Sequence, residues 1–314
     1  MNEKPAVLVF STAYLPFIGG AEVAIQEATK RLGDKYDFFI FTSRMRKDLP
    51  RQEIRPEGTI IRIGFGNKLD KFLLPVLGVW VAYKFKKNKQ KIILWGMDLS
   101  FGALAAALFK IFYPRIPFIF TIQYGYGDER VAGGRFGIIN LMFRFMLQEA
   151  NQMTAISSYL LDLAGRYGYI GPEALIHNGV DLGKFMATRL ESKHKTHTII
   201  TVSRLVPKNG VDILIKAIAE LKKDIPNVKL NIIGDGKERK NLEKLSRKLG
   251  LDAVVKFFGS IDYDEIPNYL AEADVFARPS RSEGMGNSFI EALAAGLPIV
   301  GTPVGGILDI IEEG

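Results

Sequence analysis

The stretch Val275-Phe276-Ala277-Arg278-Pro279-Ser280-Arg281-Ser282-Glu283-Gly284-Met285-Gly286-Asn287-Ser288-Phe289-Ile290-Glu291-Ala292 decides the fold. Val275–Ala277 reads as a short buried strand, and the residues from Asn287 to Ala295 repeat apolar side chains at helical spacing, with Asn287 or Ser288 placed to cap that helix. Between them, Gly284 and Gly286 let backbone N–H groups approach a ligand, and a helix start favours an anion. A strand running through such a turn into a helix is a phosphate-side corner of a doubly wound α/β sheet. Glu283 lies on the loop and Glu291 inside the helix, eight residues apart, so both can face one bound molecule. A carboxylate at the second position suits a ribose diol, because it accepts two hydroxyl hydrogen bonds.

Working outward, the same alternation continues on both sides. Upstream, strands are predicted at Ile199–Val202, Lys229–Gly234 and Val254–Phe258, with helices at Val211–Lys223, Lys237–Leu249 and Tyr263–Glu272; downstream lies the strand Ile299–Gly301. The first half repeats the pattern: strands at Ala6–Phe10, Phe38–Thr42, Ile60–Ile63, Ile92–Trp95, Phe118–Ile122 and Gln152–Ile156, and helices at Ala21–Leu32, Leu99–Phe112 and Ser157–Tyr167. Short apolar strands alternating with helices imply parallel sheets with right-handed crossovers. The polar residues 183–197 interrupt the series, so the sequence predicts two tandem Rossmann-like domains facing a cleft, 1–182 and 198–314, joined by that linker. The last residues, Ile307 to Gly314, start a further helical pattern and stop, so the second domain is expected to continue beyond them.

The 314 residues fit two domains, and 47% hydrophobic with 24% charged residues excludes a largely disordered chain. The absence of cysteine rules out disulfides, thiolate metal sites and a cysteine nucleophile, and fits a cytoplasmic protein. The net charge of +8 is carried entirely by residues 1–176, whereas residues 177–314 balance. A one-sided basic field points to a phosphate-rich ligand or a lipid surface, unless it is simply a solvated lysine face. Lys68–Lys91 holds seven lysines and one acid, Asp70, among Phe72, Leu73, Leu74, Val76, Leu77, Val79 and Trp80. Such a mixture suits the interface of an anionic leaflet, and Ile138–Met146 with Arg135 and Arg144 looks similar; core helices with a solvated lysine end would look the same. No apolar run reaches the roughly 20 residues needed to span a bilayer. The basic residues are not interleaved with an aromatic stacking surface, which argues against nucleic acid.

Two other strand-to-helix turns carry chemistry. In Thr201-Val202-Ser203-Arg204-Leu205-Val206-Pro207-Lys208-Asn209-Gly210, Arg204 with Lys208 could neutralise a diphosphate and the charge developing on it as it departs. In Tyr14-Leu15-Pro16-Phe17-Ile18-Gly19-Gly20-Ala21-Glu22, the paired glycines could cradle a phosphate or admit a sugar ring. Asp262-Tyr263-Asp264 has metal-ligand spacing but reads better as helix capping, and His194 with His197 lack a third ligand. Gly234-Asp235-Gly236 lacks the third glycine of a dinucleotide turn, and no serine elbow or Walker lysine loop is present.

Together these segments resemble retaining glycosyltransferases of family 4, built on the two-domain GT-B fold. The resemblance is carried by Gly19-Gly20-Ala21-Glu22, His177-Asn178-Gly179-Val180-Asp181, Ser203-Arg204-Leu205-Val206-Pro207, Gly234-Asp235-Gly236, Glu283 to Glu291, and Gly296-Leu297-Pro298-Ile299-Val300 with Val304-Gly305-Gly306, in family order. It implies transfer of a sugar, with retention, from a nucleotide diphosphate donor held mainly by the second domain to a lipid-linked, polysaccharide or other acceptor on the first, at the inner membrane surface. By position, Glu291 would bind the donor ribose, Glu283 would sit near the sugar hydroxyls, and Arg204 would neutralise the diphosphate. Gly19, Gly20, Gly284, Met285, Gly286 and Asn287 would complete the donor site, and no metal cofactor would be required. Two positions depart from the pattern. The family's lysine five residues after the arginine is Asn209, leaving Lys208 as its substitute, and the histidine usual after Phe118–Ile122 is replaced by Gln123-Tyr124, which keeps hydrogen bonding on the acceptor side but cannot titrate. A catalytically impaired sugar-nucleotide-binding subunit is the alternative, and a dinucleotide oxidoreductase fits the fold without its glycine fingerprint.

Overall fold

The computed structural model describes residues 4–17, 19–87, 91–123, 125, 131, 134, 137–186 and 197–312. The chain divides into two compact units, Met1–His177 and Asn178–Gly314.

The first unit is built on an eight-stranded sheet. β1 (Ala6–Phe10), fully buried, pairs in parallel with β2 (Asp37–Ser43) on one side and β5 (Ile92–Met97) on the other. Beyond β2 come β4 (Gly58–Ile63) and then β3 (Gln52–Arg55), the single antiparallel pairing among the described strands. Beyond β5 come β6 (Phe118–Ile122), β7 (Gln152–Ala155) and β8 (Glu173–Leu175), all parallel. The order therefore switches direction between β1 and β5, where such sheets open a crevice at their carboxyl ends. β3 and β8 escape a hydrophobicity reading because both are edge strands with half-exposed, partly polar residues.

Helices α1 (Gly20–Leu32), α2 (Asp70–Lys86), α3 (Phe101–Phe112), α4 (Ile138–Glu149) and α5 (Ser158–Arg166) connect the strands. α2 carries Pro75 in its interior. The proline forfeits one backbone bond in the helix's second turn, and packing offsets that loss. Gly78 lies so close to α3 that a β-carbon there would stand 3.2 Å from Ala105 Cβ, and Phe72 meets Phe101 edge to face at 5.1 Å. The Asp70 carboxylate accepts the backbone N–H groups of Gly66 (2.6 Å) and Asn67 (3.1 Å) ahead of the helix. Lys110 is buried inside α3 with its ammonium donating to Pro114 O, Ile116 O and Asn151 Oδ1 at 2.7–2.8 Å, so its charge is met by three acceptors. No described helix is long and apolar enough to cross a membrane.

The second unit is a five-stranded, all-parallel sheet in the order β11-β10-β9-β12-β13: Val255–Gly259, Val228–Ile233, His197–Val202, Val275–Arg278 and Ile299–Gly301. Adjacent residues alternate between its two faces as strand geometry demands. Ile199 and Ile232 join one core with Leu214, Ile215 and Ile218 of α7 (Val211–Asp224), while Ile200 and Ile233 join the other with Phe276 and Phe289. The remaining helices are α6 (Leu182–Met186), α8 (Arg239–Lys248), α9 (Ile266–Ala271) and α10 (Asn287–Ala294).

Three expectations change. The linker was placed at 183–197, but residues 182–186 form α6, whose Phe185 is fully buried among Phe276, Phe289 and Leu270 of the second unit. A phenylalanine inside a polar-looking stretch was the clue, since exposing it would forfeit about 1.5–3 kcal/mol of burial. His197 opens β9 instead of ending a linker; His194 and the rest of 187–196 lie outside the described residues. After β13, Gly305–Asp309 is a short 3-10 helix rather than the start of an α-helix.

Candidate active site

In the second unit the strand order reverses between β9 and β12, and the two chemistry-bearing turns leave the carboxyl ends of these strands. The loops are locked together by close backbone approach. Gly210 has φ +68°, and a β-carbon there would stand 1.8 Å from Pro279 O; Gly305 has φ +56°, and a β-carbon would stand 1.9 Å from Glu283 O. Any side chain at either position would push the loop 279–286 away. A second brace is Arg281, which donates to both Asp212 oxygens at 2.8 Å and to Pro207 O at 2.7 Å.

These constraints bring Lys208 and Glu283 together. Lys208 lies in the 3-10 turn Pro207–Asn209, and its Nζ stands 3.4 Å from Glu283 Oε1. Glu283 is also paired with Arg278 and accepts its own neighbour's Gly284 N–H at 3.0 Å. Burial acts to raise its carboxyl pKa, but Arg278 first and then Lys208 and the Gly284 N–H outweigh it and hold the group below the usual carboxylate range. Burial lowers the Lys208 ammonium pKa, with Glu283 opposing. Arg204 is exposed near Lys208.

Asn209 does not share this surface. Its side chain is buried, and its Nδ2 donates to Arg204 O at 2.7 Å, which pins the turn from inside. A charge at position 209 would point into the fold, whereas Lys208 already holds its ammonium beside the candidate donor glutamate. Glu291 is buried on α10 and hydrogen-bonded to Tyr263; burial raises its pKa, with Tyr263, Arg278 and Lys184 acting the other way.

Several turn residues have different partners from those expected. The residue preceding α10 is Gly286 (φ +88°), and neither Asn287 nor Ser288 caps the helix with its side chain. Asn287 Oδ1 accepts from Asn178 Nδ2 at 2.9 Å, which explains the asparagine of His177-Asn178-Gly179, and Ser288 Oγ accepts from Arg278 Nη1 at 2.7 Å. The Gly284 N–H, expected to be offered to a ligand, is taken by Glu283, and the Met285 side chain is buried. Asp264 pairs with Lys184 at 2.5 Å, and the Asp262 backbone carbonyl accepts from the Glu265 N–H in the turn ahead of α9, whose N-cap residue is Glu265. Among the described residues no three His, Asp or Glu side chains are grouped to hold a metal ion.

On the first unit, Gly19 is the N-cap of α1, in extended backbone, and Gly20 opens the helix at the exposed end beyond β1. Gln123 follows β6, its backbone N–H donating to Asp98 Oδ1 at 3.4 Å. Tyr124 lies outside the described residues. The sequence reading overlooked Arg278; an arginine closing an otherwise buried strand was its signal.

A tandem pair of doubly wound, mainly parallel sheets, with cations, the half-buried Glu283 and the buried Glu291 at the switch point of the second, is the GT-B class of glycosyltransferase fold. Residues 18–184 match the model of Glycosyltransferase Family 4 and residues 185–314 that of Glycosyl transferases group 1, and the chain belongs to glycosyltransferase family 4. It is 32% identical over 177 residues to a GDP-mannose-dependent alpha-(1-6)-phosphatidylinositol monomannoside mannosyltransferase of Mycobacterium tuberculosis, covering 51% of this chain and 46% of that protein. The chain thus spans about half the length of this relative. It is 26% identical to the alpha-monoglucosyldiacylglycerol synthase of Acholeplasma laidlawii, covering 93% of this chain and 79% of that one. The sucrose-phosphate synthase of Thermosynechococcus elongatus shares the fold, with a TM-score of 0.82 at 19% identity over 99% of this chain and 84% of that one.

Proposed function

We propose that the chain transfers a hexose from a nucleoside diphosphate donor to a membrane lipid acceptor with retention of configuration. The observation that carries this reading is the cluster Arg204, Lys208, Glu283 and Glu291, assembled at the switch point of the second sheet from two loops and one helix. Glu291 accepts the ribose hydroxyls, Glu283 faces the sugar, and Arg204 with Lys208 meets the diphosphate. In the transfer, the bond from sugar C1 to the diphosphate oxygen breaks as the acceptor oxygen bonds to C1 on the same face. The acceptor proton passes to the departing phosphate oxygen. Cations at the diphosphate stabilise the charge that develops there, and no carboxylate nucleophile is required. Gly19, where a β-carbon would stand 2.7 Å from the movable Glu22 Oε2, and Gly20 are assigned to close approach of donor phosphate and sugar. Backbone around Gly284, Met285, Gly286 and Asn287 frames the donor, and Gln123 is an acceptor-side hydrogen-bonding group that orients without titrating.

The acceptor class rests on the lipids in the names of the two enzyme relatives and on one face of the first unit. Leu69, Phe72, Val76, Trp80 and Tyr83 of the α2 region are exposed, and Lys84, Lys86 and Lys87 lie over the rings of Trp80, Tyr113 and Tyr83 at 3.4, 4.4 and 5.0 Å. Ile138 and Leu141 of α4 are exposed as well, while Phe143 and Met146 of that helix are core residues. Aromatics capped by lysines suit peripheral contact with an anionic leaflet, at about 1 kcal/mol per basic residue near the surface.

The testing experiment is thermal unfolding with UDP, GDP or ADP, followed by sugar transfer from the matching nucleotide sugar to lipid extracts. A nucleotide at 100 times its dissociation constant stabilises the fold by about 2.7 kcal/mol. No shift with any of them would remove the donor-site assignment. A shift with donor binding but no transfer to any acceptor would favour a nucleotide-binding subunit, the reading that Asn209 and Gln123 motivate.

A further inference from the structure

Arg278 closes β12 and is 5% exposed. Its guanidinium is held on three edges: Nε donates to Ser280 Oγ at 3.0 Å, Nη1 donates to Ser288 Oγ at 2.7 Å, and Nη2 pairs with Glu283. Its flat face lies 4.8 Å from the centroid of Phe289, itself fully buried. One side chain thus ties together the end of a strand, the loop after it and the first turn of α10. Stability does not call for an arginine here, since well-packed apolar residues often replace buried ion pairs without loss. What the arginine supplies, and an apolar residue would not, is a rigid fork aimed at one carboxylate oxygen.

We propose that Arg278 is a positioning residue of the donor site, whose fork fixes the Glu283 carboxylate in the orientation that receives the hydroxyls of the donor's sugar. The proposal rests on the assignment of Glu283 to that sugar. The two cations on Glu283 differ in a way that fits a division of roles. Arg278 is locked by two serines and a ring, whereas Lys208 reaches Glu283 on a flexible stem at 3.4 Å. When Lys208 turns to the diphosphate, Oε1, which still accepts the Gly284 N–H at 3.0 Å, has a second lone pair for a sugar hydroxyl while Arg278 retains Oε2.

The groups facing this carboxylate are Arg278 from β12, Lys208 from the 3-10 turn and the Gly284 N–H of its own loop. Arg204 acts at one remove, on Lys208, and Glu291 feels Arg278. The segment 305–309 meets Glu283 through Gly306 N–H, which donates to its backbone carbonyl at 3.2 Å. Removing Arg278 therefore takes away the foremost influence opposing burial, and the carboxyl pKa rises.

The test measures binding of GDP, GDP-mannose, UDP and UDP-glucose by calorimetry from about pH 5 to 9. The proteins are the unaltered chain, Arg278→Lys, Arg278→Met and Glu283→Gln, each checked for cooperative unfolding. The readout is the ratio of affinities for a nucleotide sugar and its parent diphosphate. The unaltered chain should give a ratio that is flat with pH. Arg278→Met should lower it about tenfold at the acid end, with recovery as pH rises, and leave diphosphate affinity within about twofold. Arg278→Lys keeps the charge and loses the fork, so it should lower the ratio about threefold and leave it flat. It decides the matter if Arg278→Met does not fold. An unchanged ratio in both arginine variants, alongside a reduced one in Glu283→Gln, overturns the role of Arg278 alone. An unchanged ratio in Glu283→Gln removes the sugar assignment of Glu283 and the proposal with it. Loss of diphosphate affinity with an unchanged ratio would make Arg278 a direct phosphate ligand and would also overturn it.

Discussion

Lys208 Nζ stands 3.4 Å from Glu283 Oε1, although 75 residues separate the two in the chain. The contact joins the turn after β9 to the turn after β12, and it places an ammonium where position 209, facing inward, does not. Lys208→Ala should therefore reduce sugar transfer at least tenfold by removing a charge-assisted contact to the diphosphate. Asn209→Ala should lower thermal stability by about 1 kcal/mol, the worth of its bond to Arg204 O, and leave turnover per folded molecule near normal. Equal small effects on turnover would mean that neither side chain reaches the diphosphate.

Glu291 is a carboxyl whose pKa is raised by burial. A carboxylate with a raised folded pKa binds its proton more tightly in the folded state, so the stability it contributes is present at low pH and lost as pH climbs from the unfolded value through the folded one. Glu291→Gln should raise the melting temperature of the ligand-free protein at neutral pH. The same change, or Glu291→Ala, should weaken nucleotide binding by about 1–3 kcal/mol if the carboxylate holds the ribose. Unchanged nucleotide affinity would remove that assignment.

Glu283 has the opposite sign. Its folded pKa lies below the usual range, so its contribution is present above the unfolded pKa and lost as pH falls through the folded one. Glu283→Gln should flatten the acid limb of the stability profile, read by thermal unfolding across pH. An acid limb identical to that of the unaltered chain would show that the pairs with Arg278 and Lys208 add nothing net.

The lysine-capped aromatic face of α2 predicts salt-sensitive binding to vesicles containing anionic lipid. Trp80 is exposed on this face, whereas Trp95, the other tryptophan, donates to Thr121 Oγ1 at 2.8 Å, so a blue shift of emission on vesicle binding reports Trp80. Reversing the charges of Lys84, Lys86 and Lys87 together should abolish binding at physiological salt, given about 1 kcal/mol per basic residue. Undiminished binding would transfer the contact to another face.

Lys110 tests the first unit. Lys110→Met takes the ammonium from the part-buried acceptors Pro114 O and Ile116 O, while Asn151 Oδ1 keeps the Phe118 N–H at 3.0 Å. A lost hydrogen bond is worth about 0.5–1.5 kcal/mol, and denaturant unfolding should show a loss of about 1–2 kcal/mol. A smaller loss would mean that water takes the place of the ammonium.

The alternation of apolar runs with helical periods was enough to place most strands and helices, because burial on both faces of a parallel sheet leaves little freedom in residue type. It failed at β3 and β8, where edge strands are half polar, and at residues 182–186, where one buried Phe185 outweighs polar neighbours. Glu283, Glu291, Arg204 and Lys208 could be singled out by residue type and spacing, and the structure adds the contact of Lys208 with Glu283.

What the tertiary structure alone decided is where loop side chains point and whom they meet. Asn287 and Ser288 read as helix caps by local rules, yet they bond Asn178 and Arg278 because those partners are presented by other elements at closer and better-aligned positions. Asn209 turns to Arg204 O and Lys208 to Glu283 because Gly210, in left-handed backbone against Pro279, sets the direction of the turn. The physical reason is one of range. Hydrophobic period and residue chemistry are properties of neighbouring residues, whereas the direction of these loop side chains also depends on chain as far as 69 and 109 residues away.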